Sequence, residues 1–315
     1  MIVDQSRIAA ERVRYPTSLR RLISLTLTRR RPVWAVILCL FPWSVIAEPV
    51  SVLVSVPPQK FIVERVGGNE VQVEVLLPPG RGPETFEITP RHMMRFSKVD
   101  LFCCIGVPFE AQCLDRLVFD GLGPRILNMV EDVSLLDGHH HDHDHDHDHG
   151  DDAEEKDPHV WTSPRILTRM SEHVAHTLAD LRPEHAETFH KNAAELGREF
   201  RALDEFLKEL FQQVRIRSFL VVHPAWSYLA SDYALSQVSI EREGKSPGPR
   251  RMALLIEEAS AAGVRTVFSD RHFSSNDAQI IAEGLRGEVV ELDPLAEDVI
   301  KNLRTVGRQL AEAMR

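Results

Sequence analysis

From Phe189 to Val214 the apolar residues Phe189, Ala193, Leu196, Phe200, Leu203, Leu207, Leu210 and Val214 return at intervals of 4, 3, 4, 3, 4, 3 and 4. A strand repeats every second residue, so this pattern is one face of an α-helix, held for over three heptads. Starting near Pro183 and reaching about Val214, the helix spans roughly 30 residues, or roughly 45 Å at about 1.5 Å per residue. That is long for a helix lying on one α/β layer. Such a stripe serves either a coiled-coil dimer seam or a spine between two lobes; the spine is the reading adopted. It predicts a first lobe over 50–182, a linking helix over 183–215 and a second lobe over 216–315.

Both flanks carry short apolar runs with helical stretches between them. Val50–Val56 is a near-continuous β-branched run, the pattern of a strand buried on both faces. Val71, Val73 and Val75 alternate with Gln72 and Glu74. Further strands are expected at Asp100–Ile105, Phe219–Val222, Val264–Phe268 and Glu288–Leu292. A helix is expected from Pro164 to Leu181, with Thr162-Ser163-Pro164 supplying an N-cap and a first-turn proline. Strands alternating with helices predict parallel sheets, so the fold class is α/β, with two parallel-sheet lobes.

The N-terminus reads as an export signal over residues 1–47. Arg29, Arg30 and Arg31 precede an apolar run from Val33 to Phe41, and Val45-Ile46-Ala47 offers cleavage positions. The stretch Val33–Ala47 is roughly 15 residues, short of the roughly 20 that a bilayer span needs. An uncleaved anchor is the competing reading, and the true start of the chain is left open. Cys39 has no small residue before it, which disfavours a lipoprotein attachment site. Cys103, Cys104 and Cys113 remain after cleavage; a Cys104–Cys113 bridge is conceivable, but buried thiols are preferred.

Charge narrows the partners. The first 47 residues hold 8 Arg and 2 acids, so their removal takes the net charge from −10 to −16. So acidic a body argues against nucleic acid held on a basic face. Histidine is the outlier, with 7 of the 15 inside eleven residues. They are His139, His140, His141, His143, His145, His147 and His149, with aspartates in the gaps. The segment 137–156 cannot pack and is expected to be a mobile loop. Neutral imidazoles beside carboxylates bind zinc, copper and nickel, here at several weak, exchanging sites. The His-x-His-x-Asp-His spacing of a metallo-hydrolase never occurs. His-Glu-x-x-His, a Gly-x-Ser-x-Gly elbow and a phosphate loop are missing too.

Polar residues follow the strands. Pro78-Pro79-Gly80-Arg81-Gly82-Pro83-Glu84-Thr85-Phe86-Glu87 follows the second, and Asp157-Pro158-His159 follows the His-rich tract. His223-Pro224 and Asp293-Pro294-Leu295 come directly after strands of the second lobe, where open α/β sheets bind ligands. Singly, each is weak evidence, since a histidine after a strand is usually a hydrogen-bonded loop residue and Asp-Pro is a common turn starter.

Together they resemble a family. SVPPQKFIVERVGGNEVQVEVLLPPG (55–80), DPHVWTSP (157–164), VVHPAWSYLASDYAL (221–235), IEREGKSPGPRRM (240–252) and VVELDPL (289–295) are similar, in order, to the periplasmic metal-binding proteins of zinc and manganese ABC importers. The His-rich insertion before DPH is typical of the zinc members. The resemblance implies a metal held in the cleft between the lobes by four side chains. By motif position these are His159, His223, Asp293 and Glu84, the last standing where the family usually has His.

A glutamate oxygen binds zinc at about the imidazole distance. Two nitrogens and two carboxylates form a harder set, which favours manganese or ferrous iron, whereas the His tract favours zinc. If Glu84 has lost the role, His272 or a water fills the gap. His92 is expected on the surface of a helix starting at Pro90. Glu241, Arg242, Glu243 and Lys245 read as a charged loop, which in the family lies near the cleft. The function implied is capture of Zn(2+), alternatively Mn(2+) or Fe(2+), and its delivery to an inner-membrane ABC permease with its ATPase subunit. The carrier is expected to be a periplasmic monomer with no organic cofactor and no enzymatic activity. A metalloenzyme with an open metal position, and a periplasmic buffer working through the tract, are the other classes.

Overall fold

The computed structural model describes residues 48–120, 123–138, 156–241, 247–270 and 276–315. The expected export signal, the seven tract histidines, Arg242, Glu243, Lys245 and His272 lie outside them.

The first sheet comprises β1 (Val50–Val54), β2 (Val71–Val75), β3 (Leu101–Cys104) and β4 (Arg125–Asn128), all parallel, in the order β2-β1-β3-β4. The helices α1 (Pro57–Gly67), α2 (Pro90–Phe96) and α3 (Pro108–Asp120) connect them. The second sheet repeats the plan. Its strands β5 (Ser218–Val221), β6 (Ser236–Ser239), β7 (Thr266–Asp270) and β8 (Glu288–Leu292) run parallel in the order β6-β5-β7-β8.

Between the sheets lie α4 (Pro164–Leu181), a 3-10 turn (Pro183–His185) and α5 (Ala186–Gln212). Ser163 caps α4 by accepting the Ile166 N–H, and Pro164 opens its first turn. The second lobe continues with α6 (Ser227–Asp232), α7 (Pro249–Ala261), α8 (Asn276–Leu285) and α9 (Val299–Ala313).

The stripe of α5 is buried from Phe189 to Leu207, and in the last turn Phe211 rather than Leu210 takes the buried place. That face packs along α4 and against α9 within the same chain. Gly307 lets α9 come close, since a Cβ there would lie 2.3 Å from Leu207 Cδ2. One apolar cluster therefore runs from β1 through α4 and α5 to Phe268, Leu292 and α9. A smaller cluster covers the other face of the second sheet.

The strands that the sequence pattern missed, β4 and β6, are edge strands. Arg125, Ile126 and Asn128 are exposed, so neither face of β4 needs an apolar run. Cys103, Cys104 and Cys113 are free and buried. Among the described residues no helix is long and apolar enough to cross a membrane.

Each sheet changes direction between its two central strands, β1/β3 and β5/β7, and the carboxyl ends there form a crevice. In the first sheet the chain fills this crevice itself. Glu110, in the first turn of α3, accepts the Ser55 hydroxyl and the N–H groups of Ile105 and Gly106. Burial pushes its carboxyl up to about 7, against the pull of those hydrogen bonds. In the second sheet the corresponding crevice carries His223, just past β5, and Asp270, which ends β7.

Candidate metal centre

Three side chains from separate loops converge beside that second crevice. Glu84 comes from the loop after β2, His159 from the turn before α4, and His223 from the end of β5. Glu84 Oε1 lies 3.1 Å from His159 Nε2 and 3.3 Å from His223 Nε2. The two Nε2 atoms are 3.3 Å apart. Bonds of about 2.0–2.1 Å around a tetrahedral ion give ligand–ligand edges of about 3.3–3.4 Å. The three atoms thus outline one face of such a tetrahedron. Among the described residues this is the one group of three or more His, Cys, Asp or Glu side chains close enough to hold an ion.

The local chain explains how His159 is aimed. Asp157 Oδ1 accepts the His159 backbone N–H at 2.9 Å and contacts Nδ1 at 2.7 Å. With Nδ1 holding its hydrogen toward Asp157, the neutral ring presents the Nε2 lone pair to the centre, the usual carboxylate–histidine–metal arrangement. Asp157 is held in turn: its carbonyl accepts the Tyr228 hydroxyl at 2.7 Å, and its N–H donates to Leu136 at 2.9 Å. Next to this point Asp137 bridges to Lys156, so the two ends of the 137–156 segment are paired.

Burial opposes ionisation of Glu84, but hydrogen bonds with His159 and His223 outweigh it and hold the carboxyl well below its usual range. Burial also pulls His159 down, yet Asp157 and Glu84 raise it to about 9. Among the described residues, Glu84 Oε2, Asp157 Oδ2 and Glu241 Oε2 are buried without a hydrogen-bond partner. Carboxylate oxygens left bare in one region are what a cation satisfies. Glu241, read from sequence as part of a charged loop, is only 8% exposed at the end of β6. Burial raises its pKa, and the charges of Asp277, Asp270 and Glu84 add to the rise.

Glu84, His159 and His223 line a pocket of about 10 Å³ with Trp161, Asp270 and Leu295. That is room for an ion or one water, not for an organic ring. Asp293 stands outside the group of three. Its Oδ1 accepts the Leu295 N–H at 2.9 Å, its carbonyl accepts Asn302 Nδ2 at 2.7 Å, and it lines an adjoining cleft of about 600 Å³. His92 is half-buried on α2, with Nδ1 accepting the Thr89 N–H.

Sequence reasoning did not assign Asp157 a role, although an aspartate two residues before a candidate ligand, across a proline, is a recognisable Asx-turn signal. It also missed Asp270 on the pocket wall, since nothing in a lone Asp at a strand end marks it.

The comparisons agree with this architecture. The family model for the zinc-uptake complex component A, periplasmic (ZnuA), matches residues 52–313. The zinc-binding lipoprotein AdcA of Streptococcus pneumoniae is 30% identical over 242 residues, covering 71% of this chain and 45% of that protein. A crystal structure of ZnuA superposes with a TM-score of 0.78 at 31% identity, over 85% of this chain and 100% of that one. A zinc-bound ZnuA lacking its residues 138–173 gives a TM-score of 0.76 at 30% identity, over 85% and 98%. Both sheets, the spine and the three converging donors fall inside the matched span, and the chain belongs to the ZnuA family of periplasmic zinc-uptake components.

Proposed function

We propose that this protein is an extracytoplasmic carrier that captures Zn(2+) in the cleft and delivers it to an inner-membrane ABC permease with its ATPase subunit. The observation that carries the reading is the triangle of Glu84 Oε1, His159 Nε2 and His223 Nε2, with edges of 3.1–3.3 Å. The family is one of solute-binding proteins, not of enzymes.

Glu84, His159 and His223 supply three donors, and Asp293 supplies the fourth by a movement of its loop toward the pocket. His272 or a water is the alternative to Glu84. Two imidazoles and two carboxylates neutralise a divalent ion, and four protein donors close its shell, which suits carriage over hydrolysis. The tract histidines His139, His140, His141, His143, His145, His147 and His149 act as low-affinity metal collectors. Residues 1–47 direct export to the periplasm, where the protein works as a monomer.

Competitive titration of the mature protein with 139–149 removed tests the reading. One tight zinc site per chain is expected, weakened by Glu84→Ala. No tight site sinks the carrier and leaves a buffer working through the tract. The carboxylate of Glu84 favours a second reading, a Mn(2+) or Fe(2+) carrier, and a preference for manganese in the same titration would select it.

A further inference from the structure

The first-lobe wall of the cleft carries the wrong charge for a cation cargo. Pro90–Lys98 contains Arg91, His92, Arg95 and Lys98 and no acid, in a chain whose acids outnumber its Lys and Arg by 47 to 37. Arg81, His92 and Arg95 line the cleft of about 600 Å³ from the first lobe, facing Asp293 and Glu297 of the second. Around the same helix, Arg91, Met94 and Lys98 join His92 and Arg95 in lining a further concavity of about 490 Å³. Arg95 is engaged, donating to Glu74 at 3.0 Å and to the Val75 carbonyl at 2.8 Å. Arg81, Arg91 and Lys98 are exposed and, among the described residues, form no ion pair. Among the described residues Met94, 59% exposed, is the most exposed large apolar side chain, ahead of Ile280 at 44% and Leu254 at 43%.

Cations beside a site for a dication repel it, lowering both its capture rate and its affinity. The cost makes sense if something anionic covers them during the working cycle. We propose that the α2 face, with Arg81 at the cleft edge, is a docking surface for an acidic patch on the extracytoplasmic side of the permease. This rests on the carrier reading above. Three observations select that occupant. The charge calls for an acidic partner. The patch adjoins the cleft that shares Leu295 with the wall of the metal pocket. It also extends past the cleft onto the outer face of α2, around an exposed methionine, further than a small anion reaches. Methionine at the centre of a charged rim is a usual interface composition.

The test measures binding of the zinc-loaded mature protein to its permease–ATPase complex in nanodiscs, over a salt series. Binding of the unmodified protein is expected to weaken as salt rises. The Arg91→Glu/Lys98→Glu protein is expected to bind at least about tenfold more weakly, and Arg91→Gln/Lys98→Gln to fall between. A control pair on the exposed face of α5, Lys191→Glu/Arg198→Glu, is expected to bind like the unmodified protein. Zinc titration in solution should find affinity unchanged or raised in the α2 variants. The proposal is overturned if α2 reversal leaves docking intact, or if the α5 control weakens it equally. It also falls if zinc citrate binds more tightly than free zinc and α2 reversal removes only that advantage, because the occupant is then a small anionic chelate. Failure of the carrier reading shows separately, as the absence of a tight zinc site in the unmodified protein.

Discussion

Trp161 Nε1 donates a 2.6 Å hydrogen bond to the carbonyl of Pro294. It ties the Asp-Pro-His segment of the first lobe to the Asp-Pro-Leu segment of the second, each of which holds a proposed ligand. Trp161→Phe keeps most of the packing and removes the donor. A buried hydrogen bond is worth about 0.5–1.5 kcal/mol net. Zinc release into excess chelator, followed by stopped flow, should then accelerate by about two- to tenfold. An unchanged rate would show that this tether does not hold the cleft closed.

Asp157 is placed to act on an ion through His159, whose Nδ1 it contacts. Asp157→Asn can still accept from the backbone but no longer favours a hydrogen on Nδ1. Loss of such a partner typically costs about 10–100-fold in metal affinity. Competition against a chelator measures it, with circular dichroism to confirm the fold. Wild-type affinity in a folded Asp157→Asn protein would remove Asp157 from the site.

Glu84 is the one carboxylate in the triangle of donors. Glu84→His replaces an oxygen donor by nitrogen, so the ratio of zinc to manganese affinity should rise relative to the unmodified protein. Glu84→Ala should weaken zinc and manganese together, by about tenfold or more. If neither variant changes either metal, the place given to Glu84 is filled from elsewhere.

Protons compete with the metal at His159. Its pKa in the metal-free fold is raised to about 9, and the metal takes the neutral ring. Zinc affinity should therefore climb about tenfold per pH unit from about pH 7, levelling near 9, with about one proton released per ion. Because the folded value exceeds the unfolded one, this stabilisation is fully present below about pH 6.5 and is lost as pH rises through about 9. Calorimetry in buffers of different ionisation enthalpy counts the protons; zero release at pH 7.5 contradicts the assignment.

Glu110 gives a second pH signature with the opposite chemistry. It is an acid whose folded pKa, about 7, lies above the ordinary glutamate value of 4.5. The unfolded chain ionises first, so stability falls as pH climbs from about 4.5 to about 7 and then levels. Between those limits Glu110→Gln should gain about 3 kcal/mol relative to the unmodified protein. Urea melts of the metal-free proteins across that range would show it, and parallel pH profiles would refute it.

The elements that were legible in sequence are those whose burial writes a period into the chain. The limits of α4 follow from the Ser163 cap and Pro164, and β2 from its alternating valines. β4 and β6 left no such trace, because an edge strand can be short and polar. The convergence of Glu84, His159 and His223 came only from motif resemblance, since no spacing rule joins three loops as far apart as 84, 159 and 223. Asp157 was legible in principle. The burial of Glu241 was not, because a charged residue among charged residues reads as solvated until packing removes the water.

The apolar cluster that passes without a break from β1 through α5 into α9 limits how this carrier can signal. Prising the two sheets apart would wet that interior, at about 2.5 kcal/mol for every 100 Å² or so of apolar surface uncovered. A weak stimulus such as one arriving ion must act where separation is inexpensive, in the loops at the strand ends. Loaded and empty molecules should then have nearly the same silhouette and differ in the texture of one small face. A receptor that sorts them must read that face by touch, because posture carries no message.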